Sequence, residues 1–181
     1  MRGMAELESW EEKLCAPPPR LGSRPRTGPG LPHLQLDQWP PEAILRELLD
    51  GGLSLPHVRS RQSRMASPHS VALTLPDRFA GGPPGAFIDD HEFCHLHPAP
   101  EGSIHLTLPD EIRRSAVEMG WAEPHPAARM GALTEALVMV YAPRNRKELA
   151  VVLELIGNSY EFARFGTGAS VGAIGATMER A

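Results

Sequence analysis

The sequence has few cysteines, no long apolar run and no excess of positive charge, and each absence excludes a class of protein. Only Cys15 and Cys94 occur among 181 residues, so a disulfide framework is not expected and a reducing compartment fits. No segment approaches the roughly 18 consecutive apolar residues of a membrane-spanning helix. The net charge of −4 at pH 7 leaves no broad basic surface for nucleic acid or anionic lipid. We therefore expect a cytoplasmic protein that binds neither nucleic acid nor membranes.

Proline and glycine are abundant, with 19 and 17 residues, and they divide the chain into three parts. Residues 1–36 combine a short amphipathic helix within the first 15 residues with a stretch rich in proline and glycine, which predicts a flexible N-terminal linker. Residues 37–164 contain the periodic apolar patterns of one folded domain. Residues 165–181 are rich in glycine and alanine and are predicted to form a flexible tail.

Three segments show apolar residues at helical spacing between start and stop signals. They begin at Pro40, with Gly51 and Gly52 at the exit; at Pro109, with Gly120 as terminator; and at the capping pair Asn145 and Glu148. Five other segments alternate or are rich in β-formers, which predicts strands. They are Val58 to Gln62, Ser70 to Leu75, Phe93 to His97, Ser103 to Leu108 and Leu137 to Tyr141. This order predicts an α+β fold, with a small, mostly antiparallel sheet and helices packed on one face.

Histidine is concentrated in one part of the chain. Five of the eight histidines lie within 35 positions, at His91, His95, His97, His105 and His125. Side chains alternate along a strand, so His95 and His97 project from the same face. A hairpin between residues 97 and 103 brings His105 to that face, and His125, between two prolines, closes the site. The functional centre is therefore predicted within residues 91–105, with His125 behind them.

Converging imidazoles fit two kinds of chemistry, and the sequence leaves both open. His95, His97 and His105 are candidate ligands of a divalent transition metal, with Asp89, Asp90 or Glu92 to complete the set. Without any cofactor, a histidine can instead act as general base toward an enol, a phenol or water.

Other candidate residues carry weaker signals. Tyr141 and Arg144 follow a predicted strand, where they either reach a planar anionic ligand or cap the sheet edge. Trp121 is predicted to be a core residue, with the wall of an aromatic pocket as the alternative. Cys94 alternates with His95 and is predicted to lie in the core. The isolated His33, His57 and His69 are interpreted as ordinary loop residues.

Three separated motifs resemble the luciferase domain of bioluminescent fungi and its bacterial relatives: HLHPAPEGSIHLTL, GWAEPHP and VYAPRNRKELAVVLELI. The resemblance extends over residues 67–161. The matching positions are His95, His97, His105, Gly120, Trp121, His125, Pro126, Tyr141, Ala142, Pro143, Arg144 and Asn145. For the fungal members it implies oxidation of a hydroxylated styryl-pyrone by molecular oxygen, with loss of carbon dioxide and emission of light.

From this resemblance we expect an oxygen-dependent enzyme that acts on a small enolic or aromatic compound through its histidine cluster, with or without a metal. The partners implied are a small-molecule substrate and O2. The catalytic residues implied are His95, His97, His105, His125, Tyr141 and Arg144. Light emission is not expected, because a shared fold does not impose a shared reaction. Two alternatives are a non-catalytic module that binds a small ligand or a metal, and a metal-dependent ester or lactone hydrolase.

Overall fold

One antiparallel sheet organises the described part of the chain, residues 16–166 of a computed structural model. Its strands are β1 (Arg59–Gln62), β2 (Val71–Thr74), β3 (Glu92–Leu96), β4 (Ile104–Thr107), β5 (Ala122–Pro124) and β6 (Leu137–Val140). They are ordered β1-β2-β3-β4-β6-β5. The helices are α1 (Glu42–Leu53), α2 (Asp110–Glu118), α3 (Pro126–Arg129) and α4 (Arg146–Phe165). The predicted α+β architecture is confirmed.

The helices cover one face of the sheet because that face is apolar. Leu73, Cys94, Leu106 and Val138 are cross-strand neighbours in β2, β3, β4 and β6, and all four are buried in the core. α4 adds the apolar stripe that the sequence predicts, and the Asn145 side chain caps it by accepting from two backbone N–H groups. The opposite face of the same strands carries buried polar side chains, among them His95 and His105.

Helix α1 ends later than the glycine pair predicts. Gly51 and Gly52 lie within the last turn of α1, which runs to Leu53. A Cβ atom at Gly51 would lie 2.5 Å from a methyl of Leu153, and one at Gly52 would lie 2.7 Å from a methyl of Leu73. The glycines therefore allow close packing of α1 against α4 and the sheet, rather than ending the helix. β5 and α3 were not predicted, because three or four residues are too short to show a period.

Residues 16–41, the covering segment, correct the prediction of a flexible linker. They have little regular structure, yet Arg20, His33 and Gln35 are only 8%, 3% and 1% exposed. The Trp121 indole donates to the Pro18 carbonyl, which ties the segment to the core. The sequence does not reveal that this segment is ordered, because its contacts are polar and join residues that are distant in the chain. Neither property produces a periodic pattern. The predicted helix before residue 16, Cys15 and the tail beyond residue 166 lie outside the described residues.

Between residues 16 and 166, no helix combines the length and apolarity needed to cross a membrane.

Candidate functional site

Strand alternation and one hairpin bring three predicted histidines together. His95 on β3 is the direct cross-strand partner of His105 on β4, and their ring centroids are 4.9 Å apart. The ring of His97 lies 5.4 Å from that of His95 and 4.7 Å from that of His105. All three residues are at most 5% exposed. Their predicted convergence is confirmed, whereas their catalytic role stays a prediction.

Two more histidines complete the group. The His125 ring, at the start of α3, is 4.7 Å from that of His105, as the sequence predicts. His33 was interpreted as a loop residue, but its ring is 5.0 Å from His125 and 5.7 Å from His105. We call these five residues the histidine cluster. The covering segment supplies His33, and the sequence offers no period that would place it there.

Glu92 holds His95 from behind, through an irregularity in the sheet. The pairing of β2 with β3 shifts from Leu73 opposite Cys94 to Thr74 opposite Glu92, which skips Phe93. This bulge allows Glu92 and His95, three positions apart, to share a face. The His95 Nδ1 atom lies 2.7 Å from Glu92 Oε1, which also accepts a hydrogen bond from Ser63. Glu92 was one predicted carboxylate ligand, but here it orients a histidine.

Asp89 and Asp90, the alternative carboxylates, lie at the surface instead of in the cluster. Both pair with the exposed Arg64.

Two further carboxylates face histidines of the cluster, and sequence analysis identified neither. Glu123 lies on β5 in the same cross-strand row as His105, with Met139 between them. Its Oε1 atom is 2.7 Å from His33 Nε2, and its Oε2 atom accepts the Tyr141 hydroxyl at 2.9 Å. Glu101, in the hairpin, places Oε2 3.2 Å from His97 Nδ1. Three of the five histidines therefore have one ring nitrogen beside a carboxylate.

Burial keeps most of the cluster uncharged. Desolvation, together with repulsion from neighbouring imidazoles, lowers the pKa of His97 to about 3 and that of His125 to about 4. The pKa of His105 also falls well below its usual value, for the same reasons. At neutral pH these rings are uncharged, so one nitrogen of each has a free lone pair.

Glu123 remains ionised despite its partial burial. Desolvation alone would raise the pKa of Glu123, but hydrogen bonds from His33, Thr27 and Tyr141 outweigh it and hold that pKa below its usual value. Burial, followed by the hydrogen bond to Glu123, raises the pKa of Tyr141 to about 12. Tyr141 therefore keeps its proton and donates it in a hydrogen bond to the carboxylate.

Hydrogen bonding determines which ring nitrogen carries the proton and which carries the lone pair in His125 and His33. His125 Nδ1 accepts the Ala127 backbone N–H at 3.2 Å, so the proton of the neutral ring is on Nε2. His33 Nε2 donates to Glu123, which leaves Nδ1 with the lone pair. His33 Nδ1, His97 Nε2 and His105 Nε2 are buried and have no hydrogen-bond partner among residues 16–166. Such unpaired buried nitrogens are costly in a stable protein unless something binds them.

Two predicted residues lie outside the cluster. His91 pairs with Asp77 at 3.2 Å and packs edge-on against Phe87. Arg144 forms an ion pair with Glu148 at the start of α4 and donates to the Leu21 carbonyl at 2.7 Å. It therefore anchors the covering segment.

Trp121 and Cys94 are core residues, as predicted, and the Cys94 thiol is free and buried.

Gln35 fastens the covering segment above the cluster, and its removal is expected to loosen that segment. Its side-chain oxygen accepts the buried Ala142 N–H at 2.9 Å, and its backbone N–H donates to Glu101 at 2.7 Å. Gln35→Ala leaves the Ala142 N–H unpaired, so we expect the free energy of unfolding to fall by about 2 kcal/mol. Urea denaturation measures this change, and hydrogen exchange should accelerate in residues 16–41. Gln62→Ala, at an exposed position, is the control, and equal stability of both variants would contradict the prediction.

Comparisons with known proteins agree with the resemblance seen in the sequence. Residues 90–159 match a family model described as Luciferase domain. Proteins named Luciferase from Armillaria gallica and Armillaria ostoyae are 30% and 29% identical over 175 and 174 residues, covering 86% of this chain. The chain spans 65% of the length of these relatives. No solved structure matches it.

Proposed function

We propose that this protein, of which residues 90–159 match the family model described as Luciferase domain, oxidises a small enolic or aromatic compound with molecular oxygen. The reaction takes place at the histidine cluster. The observation that carries the proposal is the pair His33–Glu123, whose free Nδ1 atom lies among neutral, buried imidazoles.

His33 is the proposed general base. An ionised carboxylate behind a histidine fixes its tautomer and stabilises the imidazolium that forms when the ring takes a proton. Glu123 has this position behind His33, and Tyr141 fixes the carboxylate in turn. His33 Nδ1 therefore removes the acidic proton of the substrate, and Glu123 balances the positive charge.

His125 is the proposed stabiliser of the resulting anion. Its Nε2 carries the proton of the neutral ring, and it lies beside His33 in an edge-on arrangement. An N–H donor directed into a dry site stabilises a developing oxyanion more than it would in water. The enolate carbon then forms a bond to O2, so that the carbon is oxidised and O2 is reduced to a carbon-bound peroxide anion. The proton returns from His33 to the outer oxygen of that anion, which gives the hydroperoxide.

The covering segment has to move for the substrate to enter. Each histidine of the cluster is at most 5% exposed, so no small molecule reaches Nδ1 of His33 while the segment is closed. The same closure excludes water from the reactive anion, which prevents competing protonation. Opening therefore precedes chemistry in the proposed cycle.

Oxygen consumption tests the proposal. The purified chain is supplied with pyrones, 1,3-dicarbonyl compounds and catechols while an oxygen electrode and a pH indicator record the reaction. We expect oxygen uptake in proportion to the substrate consumed for at least one of these classes. His69→Asn is the matched control, because His69 is exposed and outside the cluster, and it should retain full activity.

Two results would favour the alternative functions. Acid release from esters or lactones without oxygen uptake indicates a hydrolase. Saturable binding of one of these compounds, with neither oxygen uptake nor acid release, indicates a non-catalytic binding module.

A further inference from the structure

We propose that His95, His97 and His105 bind one divalent first-row transition metal ion. The inference deepens the proposed function, on which the catalytic meaning of the metal rests, although metal binding itself can be measured without turnover. It depends on three features of the same site: the spacing of the nitrogens, an unpaired buried nitrogen, and carboxylates behind two of the rings.

The spacing of the ring nitrogens fits a shared ion. One nitrogen from each of the three rings lies within 4.8 Å of the other two. His95 Nε2 and His105 Nδ1 are 3.1 Å apart. Two nitrogens bound tetrahedrally at about 2.0–2.1 Å from zinc are separated by roughly 3.3 Å. The His95–His105 contact is therefore already close to the distance between two ligands of one ion. On binding, two metal–nitrogen bonds replace this hydrogen bond, and its proton moves from His105 Nδ1 to His105 Nε2.

His97 supplies a third nitrogen with nothing else to bind. Its residue is 5% exposed, and Nε2 has no hydrogen-bond partner within the described range, residues 16–166. The other nitrogen, Nδ1, faces Glu101 Oε2 at 3.2 Å and Ser67 Oγ at 3.5 Å. Both polar neighbours are at Nδ1 and Nε2 has none, so with the proton on Nδ1 the lone pair of Nε2 is available to a metal.

Carboxylates behind the rings are typical of metal-binding histidines. A ligating histidine usually donates its second N–H to a carboxylate, a carbonyl or water, which fixes the tautomer and raises the basicity of the ligand. His95 Nδ1 donates to Glu92 Oε1 at 2.7 Å, and Arg61 lies 3.3 Å from the other oxygen of Glu92. Glu101 faces His97. Three imidazole ligands without a carboxylate ligand favour zinc, copper, iron or nickel over magnesium and calcium.

A second set of three histidines also has close nitrogens but is the weaker candidate. His33, His105 and His125 satisfy the same distance. However, His125 Nδ1 already accepts the Ala127 N–H, and binding a metal through Nε2 would move the ring proton to Nδ1, where it would face that N–H. The first set has no such conflict.

Equilibrium dialysis against zinc and cobalt(II) tests the inference on the full chain after removal of bound metal by a chelator. We expect one equivalent of metal to bind, and cobalt(II) to show the visible absorption of nitrogen ligation. His95→Ala and His97→Ala should each weaken binding by more than the roughly 10–100-fold that loss of an outer-shell partner costs. Glu92→Gln and Glu101→Gln, which keep all three ligands, should weaken it within that range. His69→Asn should bind as tightly as the unchanged chain.

Three results would overturn the inference. One is a chain that binds no zinc or cobalt(II) beyond the amount bound by the double variant H95A/H97A. A second is a folded His97→Ala variant, checked by circular dichroism, that binds as tightly as the unchanged chain. A third is a His33→Ala variant that loses as much affinity as His97→Ala, which would assign the metal to the other set. Tight metal binding without oxygen uptake supports this inference and counts against the proposed function, so the two failures are distinguishable.

Discussion

His33→Ala is expected to lower kcat for oxygen uptake by about 10²–10⁴-fold, which is the usual contribution of a general base. The variant removes the only nitrogen of the cluster that combines a free lone pair with a carboxylate that the structure holds ionised. Glu123 acts through His33, so Glu123→Gln should lower kcat by less and leave KM nearly unchanged. Steady-state oxygen electrode measurements give both parameters.

Chemical rescue separates a base from a structural residue at this position. Added imidazole should restore part of the activity of His33→Ala, because it can enter the space that the ring vacates and take the same proton. It should have no effect on Glu123→Gln or on the unchanged chain. Full activity of His33→Ala, with no need for imidazole, would remove His33 from the mechanism and leave the base among the remaining histidines.

The metal-free protein is expected to lose stability steeply between pH 7 and pH 5. The pKa of His97 is about 3 and that of His125 about 4, with His105 also well below its usual value. An unfolded chain titrates its histidines near pH 6.5. In this window the unfolded state therefore binds more protons than the folded state, and the free energy of unfolding falls as pH falls. The decline continues until the folded state also binds these protons, near pH 4 for His125 and near pH 3 for His97.

The size of this loss of stability follows from the number of histidines that stay neutral in the folded state. Each neutral histidine contributes up to about 1.4 kcal/mol per pH unit below pH 6.5. Glu101 opposes the trend, because burial raises its pKa. The expected net loss between pH 7 and pH 5 is on the order of 4 kcal/mol.

Urea denaturation in the presence of a chelator measures this loss, with His97→Gln as the matched variant that cannot take the proton. His97→Gln should lose less stability over the same pH interval than the unchanged chain. A constant free energy of unfolding from pH 7 to pH 5 would show that these imidazoles are not held neutral by burial.

The proposed metal ligands and the proposed general base occupy different parts of the histidine cluster. His95 and His97 have Glu92 and Glu101 beside them, whereas His33 is paired with Glu123 on the far strand of the sheet. His105 lies between the two groups and is close to both. This division explains why one small site contains three glutamates, and it allows variants of each group to be interpreted separately.

The sequence alone determined the features that depend on local periodicity. Apolar spacing and capping residues predicted α1, α2 and α4, and alternation predicted that His95 and His97 share a face. One hairpin then placed His105 opposite His95, because antiparallel pairing is fixed once the turn is known. The resemblance to the luciferase domain family was likewise visible in three separated motifs.

Only the tertiary structure decided how the cluster is completed and held. His33 and Glu123 are 90 positions apart, and no local pattern relates residues that meet through an irregular segment and a three-residue strand. Glu92 faces His95 because a bulge changes the alternation on which the prediction depended. Local interactions produce the periodic patterns that can be read along the chain. The partners of a buried polar group depend instead on which residues the tertiary structure places next to it. For that reason the sequence located four of the imidazoles, and the fold supplied the fifth ring and the glutamates that orient the site.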